Sequence, residues 1–221
     1  MTDHQHHAPG STDDGTAAQL WDERYRSRPK VWSGRPNPQL VTEASALKPG
    51  HALDLGCGEG ADALWLASRG WTVTALDVSA VALERAAAHA RETGDGSNIR
   101  WVEQDLATWV PEEQYELVSA QFLHSTLLPW QQALRLAAAA VRIGGTLLIV
   151  GHHPEGLPTW GNHQTAEKYF TAEEVAQELG IEAPEWRVEV LDSRQRSATG
   201  PDGEPAELTD AVLRATRLAA R

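Results

Sequence analysis

The chain has one cysteine and one methionine in 221 residues. A single thiol, Cys57, closes no intrachain disulfide and builds no thiolate metal cage. No apolar run approaches the roughly 20 residues that a membrane helix needs. The N-terminal MTDHQHHAPGSTDDGTAAQ lacks the basic-then-apolar order of a secretory leader, so the expected compartment is the cytoplasm. Positive charge is scarce: 19 Lys and Arg stand against 31 Asp and Glu, a formal net charge of −12. Without a basic patch or stripe, nucleic acid and anionic membrane are not expected partners, and uncharged or cationic small molecules are mildly favoured. His4, His6 and His7 fall in a polar segment with nothing rigid around them. No H-x-x-x-H or H-E-x-x-H spacing occurs, so no metal is expected.

What remains is the composition of an ordinary globular domain, 41% hydrophobic and 23% charged. Residues 1–17 read as a disordered tail and 18–221 as one domain. Within it, 18–48 form N-terminal helices, 49–153 alternate strand and helix, and 154–221 hold a long loop followed by C-terminal elements. The alternation HALDLG, GADALWLASRG, WTVTALDVS, AVALERAAAHARE, IRWVEQD, YELVSAQF, WQQALRLAAAAVR, TLLIVGHH predicts a doubly wound, mostly parallel sheet with helices on both faces. Thr171 with Glu174 three residues on marks a helix start at TAEEVAQELG. WRVEVLDSRQRSA reads as a strand. AELTDAVLRATRLAAR stays open between a helix, which its alanines favour, and a last antiparallel strand.

Chemistry concentrates in LDLGCGEGADALWL. Asp54 ends the first strand, and Gly56, Cys57, Gly58, Glu59 and Gly60 lead into a helix. Bare backbone at the carboxyl end of a parallel strand, facing a helix N-terminus, is where open α/β sheets bind ligands. The next strand ends in Asp77, placed to accept both hydroxyls of a ribose. Gly56, Gly58 and Ala61 satisfy the dinucleotide spacing formally. An acid two residues before the first glycine instead repels a pyrophosphate and suits a cationic amino-acid tail, which describes S-adenosyl-L-methionine. Asp105 ends the third strand, where its carboxylate or the Leu106 N–H can meet an adenine edge. Gln121, His124 and Ser125 border the same cleft at the end of the fourth.

From about Trp21 to Val150 the chain resembles the class I S-adenosylmethionine-dependent methyltransferases. WDERY, WSGRPN, LDLGCGEGADALWLASRGWTVTALDVS and VRIGGTLLIVGHHP are similar to small bacterial enzymes grouped with the tellurite-resistance and thiopurine methyltransferases. The resemblance implies a Rossmann-like, seven-stranded sheet, S-adenosyl-L-methionine as methyl donor and S-adenosyl-L-homocysteine as product. By resemblance, Asp54 and the backbone of Gly56 and Gly58 face the methionine moiety, with Cys57 and Gly60 in the same loop. Asp77, with Val78 beside it, holds the ribose. Asp105 and Leu106 flank the adenine, and Gln121 lies at the sulfonium end. Trp21, Tyr25 and Trp32 resemble N-terminal lid residues.

Methyl transfer needs a nucleophile about 3 Å from the methyl carbon, in line with the breaking bond, and needs a base only when the acceptor is protonated. Candidate bases are His124, His152, His153 and His163. Adjacent residues on a strand face opposite sides, so one of His152 and His153 at most enters the cleft. Trp160, Tyr169 and Phe170 are expected to line the acceptor pocket. Cys57 reads as a small apolar side chain behind the loop, and Arg194 and Arg196 as a solvated face. The expected function is a small-molecule methyltransferase acting on a thiol, as monomer or homodimer. O- or N-methylation of a small aromatic metabolite is the alternative. An NAD-dependent oxidoreductase and a non-catalytic binder are the readings from other classes.

Overall fold

A computed structural model describes residues 15–94, 96–125, 127–157, 169–199 and 203–219. Helix α1 (Ala17–Arg26) starts within the expected tail, because Thr16 and Gln19 close a reciprocal capping box. Asn37 caps α2 (Pro38–Ala44) by accepting the Gln39 N–H, with proline at the first helical position. Then β1 (His51–Leu55), α3 (Ala61–Ser68), β2 (Thr72–Asp77), α4 (Ala80–Thr93) and β3 (Ile99–Glu103) alternate. They continue through β4 (Tyr115–Gln121), α5 (Trp130–Ala139), β5 (Val141–His152) and α6 (Ala172–Leu179) to β6 (Trp186–Thr199) and β7 (Pro205–Arg217). The predicted capping box opens α6.

One seven-stranded sheet has the order β3-β2-β1-β4-β5-β7-β6. The first five strands are parallel, and β7 runs antiparallel to both of its neighbours. The helical reading of 206–221 is therefore overturned. Alanine favours helix by only a few tenths of a kcal/mol, up to about 0.7. Ladder bonds on both sides and burial of Val212 and Leu213 outweigh that.

Strand order reverses between β1 and β4, and such a switch point opens a crevice at the carboxyl ends of the strands. Apolar cores fill both faces. Leu53, Leu147 and Val175 belong to the side covered by α5 and α6. Leu40, Leu66 and Val150 belong to the side covered by α2 and α3. Among the described residues no helix is long and apolar enough to cross a membrane.

Candidate functional site

The loop after β1 folds back over β2. The N–H groups of Gly56 and Cys57 both donate to the Leu76 carbonyl, at 2.8 and 2.9 Å. Asp77 braces the same loop: its carboxylate accepts the Gly58 N–H at 2.8 Å and the Ser79 N–H at 2.9 Å. Burial holds the Asp77 carboxyl above its usual range, and these backbone bonds oppose that. Gly58 and Gly60 have φ of 54° and 83°, a region unfavourable to any residue with a Cβ. A Cβ at Gly58 would lie 3.0 Å from the Tyr25 hydroxyl and 3.2 Å from Trp32 Nε1. The N-terminal segment thus sits directly on the loop.

That segment is tied down by charges the sequence reading passed over. Asp22 accepts the Ser79 hydroxyl at 2.6 Å and the Val81 N–H at 3.2 Å, at the N-terminus of α4. Buried Glu59 accepts the N–H groups of Val31 and Trp32 and pairs with Arg85 at 2.9 Å. Arg85 also donates to the carbonyls of Tyr25 and Arg28. Trp32 Nε1 donates to the Tyr25 hydroxyl at 2.9 Å, while Trp21 packs beside the Tyr25 ring.

Among the described residues, four buried side-chain polar atoms lack a hydrogen-bond partner, and three of them surround this loop: Asn37 Nδ2, Asp54 Oδ2 and Gln121 Oε1. Asp54 is the penultimate residue of β1 and Gln121 the last of the neighbouring β4. Burial is the main cause that pushes the Asp54 carboxyl well above its usual range, with the Asp62 and Asp77 charges adding to it. Burial likewise raises Asp62 to about 6, although the Asn37 N–H donates to it at 2.6 Å. An orphaned buried carboxylate is expensive. Two acceptors and one donor are complementary in kind to the ammonium and carboxylate of an amino acid, so the residues present fit the methionine end of the expected cofactor. A pyrophosphate offers no cation for Asp54.

Residues 52–145 match the model of a methyltransferase domain family. That segment of the chain thus forms a methyltransferase domain of the S-adenosylmethionine-dependent kind. The chain is 30% identical over 101 residues to "Probable thiol methyltransferase 2" of Arabidopsis thaliana, covering 44% of this chain and 45% of the relative. It therefore spans about half the length of that protein. It is 27% identical over 173 residues to "2-heptyl-1-hydroxyquinolin-4(1H)-one methyltransferase" of Mycobacteroides abscessus, covering 70% and 74% of the two chains. In fold it resembles the structure reported as "Conversion of a Disulfide Bond into a Thioacetal Group during Echinomycin Biosynthesis". That likeness has a TM-score of 0.67 at 24% identity and covers 93% of both chains.

The other expected site residues divide. Asp105 closes a local turn by accepting the Ala107 N–H at 2.8 Å, and the Leu106 side chain is buried in the core. Gln121 Nε2 donates to Ser119 Oγ, which leaves its carbonyl as the orphan. Cys57 Sγ lies 3.9 Å from the Gly58 carbonyl, and burial pushes its thiol up, so it is inert packing.

His124 is not free to act as a base through Nε2, which accepts the His152 backbone N–H at 3.0 Å. That bond places the proton on Nδ1, so in this tautomer the ring is a positioned donor. His153 turns away, its Nδ1 accepting the Glu155 N–H, as strand alternation requires. His152 stacks against Phe122 at 4.5 Å and His124 at 5.4 Å, with the Tyr169 ring 6.1 Å away. Phe170 does not line a pocket: it is buried, packed on Trp130, and a Cβ at Gly151 would come within 2.3 Å of it. Trp160 and His163 lie outside the described residues.

Phe122, unnoticed in the sequence, has φ of 51°, a strained value for a bulky residue. The strained turn at the end of β4 sets Leu123 against Gly56 and His124 against β5. Arg194 and Arg196 are not a solvated face either. Arg194 pairs with buried Glu43 at 2.7 Å and Arg196 with buried Asp210 at 2.8 Å.

Proposed function

We propose that this chain moves a methyl group from S-adenosyl-L-methionine to a small, soft nucleophile, with a thiol as the acceptor. When bound, the cofactor supplies a methyl group already activated by a positive sulfur. Asp54 and the Gln121 carbonyl take its ammonium, Asn37 its carboxylate, and Asp77 its ribose through lone pairs left over from bracing the loop. Asp105 and the Leu106 backbone flank its adenine. Trp21, Tyr25 and Trp32 close over it and exclude water. The acceptor enters beside Phe122, His124, His152 and Tyr169, where imidazole and aromatic rings stand 4.5–6.1 Å apart. Polarizable sulfur is well held against such rings. His124 and His152 are the imidazole rings beside the acceptor, with His124 oriented by the bond between its Nε2 and the His152 backbone N–H.

The carrying observation is the pair of partnerless buried acceptors, Asp54 Oδ2 and Gln121 Oε1, which calls for a cationic ligand. The thiol preference is supported by the activity for which the Arabidopsis relative is named and by the sulfur chemistry named for the echinomycin structure. O-methylation of a small aromatic is the second reading. It is favoured by the ring cluster and by the hydroxyquinolone methyltransferase, which aligns over more of its length. The protein works in the cytoplasm and uses no nucleic acid.

Titration with S-adenosylhomocysteine and with NADH separates donor classes, since the ligand bound by the folded state raises the melting temperature. Stabilisation by the first alone is expected. Stabilisation by NADH alone would sink the reading. A panel of thiols, phenols and amines then decides the acceptor, and turnover of phenols only would replace thiol by hydroxyl.

A further inference from the structure

Beyond β5's last residue, the β6–β7 hairpin holds a guanidinium over the ring cluster. His152 ends β5 opposite Asp210 of β7, which in turn pairs with Arg194 of β6, two residues before Arg196. Asp210 is fully buried, and both of its oxygens accept from Arg196 Nε, at 2.8 and 3.1 Å. The Arg196 guanidinium carbon lies 5.5 Å from the centre of the Phe122 ring, whose own neighbour is His152 at 4.5 Å. Its Nη1 and Nη2 donate to nothing among the described residues, and the side chain is 27% exposed. Arg194 differs, since its Nη1 reaches both Glu43 and Gln39.

A guanidinium has two edges that fit a carboxylate. Asp210 holds Arg196 by Nε alone, so the end-on edge formed by Nη1 and Nη2 remains presented to solvent beside the ring cluster. The Phe122 ring, 5.5 Å from the guanidinium carbon, gives that fork a cation–π contact. For a chain with net charge −12, a ligand carboxylate needs such a local, oriented cation.

We propose that Arg196 is the specificity-determining residue of the acceptor site, and that it selects a planar acceptor carrying a carboxylate. The acceptor's ring rests on Phe122 and His152, and its carboxylate is gripped end-on by Nη1 and Nη2. Asp210 is the buried positioning residue that aims the fork. The inference rests on the methyl-acceptor reading above. It departs from the preference for uncharged or cationic ligands that net charge alone suggests.

The test uses the full chain saturated with S-adenosylhomocysteine, titrated calorimetrically with 4-mercaptobenzoate and with its methyl ester. The wild type is expected to bind the acid about tenfold or more tightly than the ester, as one charge-assisted fork implies. Arg196→Gln combined with Asp210→Asn, which leaves no buried charge behind, is expected to erase that difference while keeping ester and S-adenosylhomocysteine affinities. Arg196→Lys keeps the ion pair without the fork and is expected to retain only part of the preference, which covers the case in which the double variant fails to fold. Equal binding of acid and ester by the wild type, or a preference surviving in the double variant, overturns the proposal. Failure of the methyltransferase reading is distinct: it would appear as no S-adenosylhomocysteine binding and no methylation of the ester.

Discussion

Asp54→Asn separates stability from function with opposite signs. Asp54 is 2% exposed and one of its oxygens has no partner. An unsatisfied buried polar group costs about 1–3 kcal/mol. The isosteric amide removes the charge and lowers that cost. A change of 1 kcal/mol moves the midpoint of a chain this size by roughly 2–4 °C, so the free variant should melt roughly 2–12 °C higher. With ligand the order reverses. Loss of a charge-assisted bond to the ammonium costs about 1.5–3 kcal/mol, or about ten- to a hundredfold in S-adenosylhomocysteine affinity.

The pH dependence follows from the same group. Asp54 and Asp62 titrate higher in the folded chain than the 3.8 of the unfolded one. Their contribution to stability is therefore full below about pH 4 and is lost as pH rises, through about 6 for Asp62. A ligand ammonium favours the ionised form of Asp54, so S-adenosylhomocysteine affinity should fall as the pH is lowered and the carboxyl is protonated. Asp54→Asn should flatten that dependence. An Asn variant that melts lower when free and binds S-adenosylhomocysteine normally would refute the reasoning.

Asp77→Ala removes the acceptor of the Gly58 and Ser79 N–H groups, and calorimetry with S-adenosylhomocysteine should show affinity falling by about 1.5–3 kcal/mol. Gly151→Ala drives a Cβ to within 2.3 Å of Phe170 and 3.1 Å of His124. Denaturant titration should record a loss of about 1–3 kcal/mol, with acceptor turnover reduced and S-adenosylhomocysteine affinity kept. Tyr25→Phe deletes the acceptor of Trp32 Nε1, so stopped-flow release of S-adenosylhomocysteine should quicken by an amount matching about 0.5–1.5 kcal/mol.

The donor half of the site was legible because its chemistry is local in sequence. Acid, glycines and helix start follow one another within ten residues, and strand ends at Asp77 and Gln121 are marked by polarity. The capping box at Thr171 is likewise a short-range signal. What escaped depends on distant partners. Glu59 and Arg85 read as loop and helix charges until the fold sets them 2.9 Å apart. Nothing in WSGRPN shows that the Asn37 backbone N–H would reach Asp62, 25 residues on. His124 reads as a base because nothing in FLHS shows that a backbone N–H 28 residues away takes its lone pair. The positive φ of Phe122 has no glycine or asparagine to announce it. The last strand was masked by its alanines, whose helical preference is small beside two hydrogen-bonded edges.

The insertion of β7 between β5 and β6 imposes an order of assembly. β6 touches the sheet only through β7, so the earlier of the two strands waits for the later one. During synthesis the five parallel strands can close around the glycine loop while the hairpin is still absent. Arg196 and Asp210 reach His152 only after the final strand threads into place. A nascent chain cut short before Pro205 would lack Asp210, the residue that pairs with His152 across the sheet and holds Arg196.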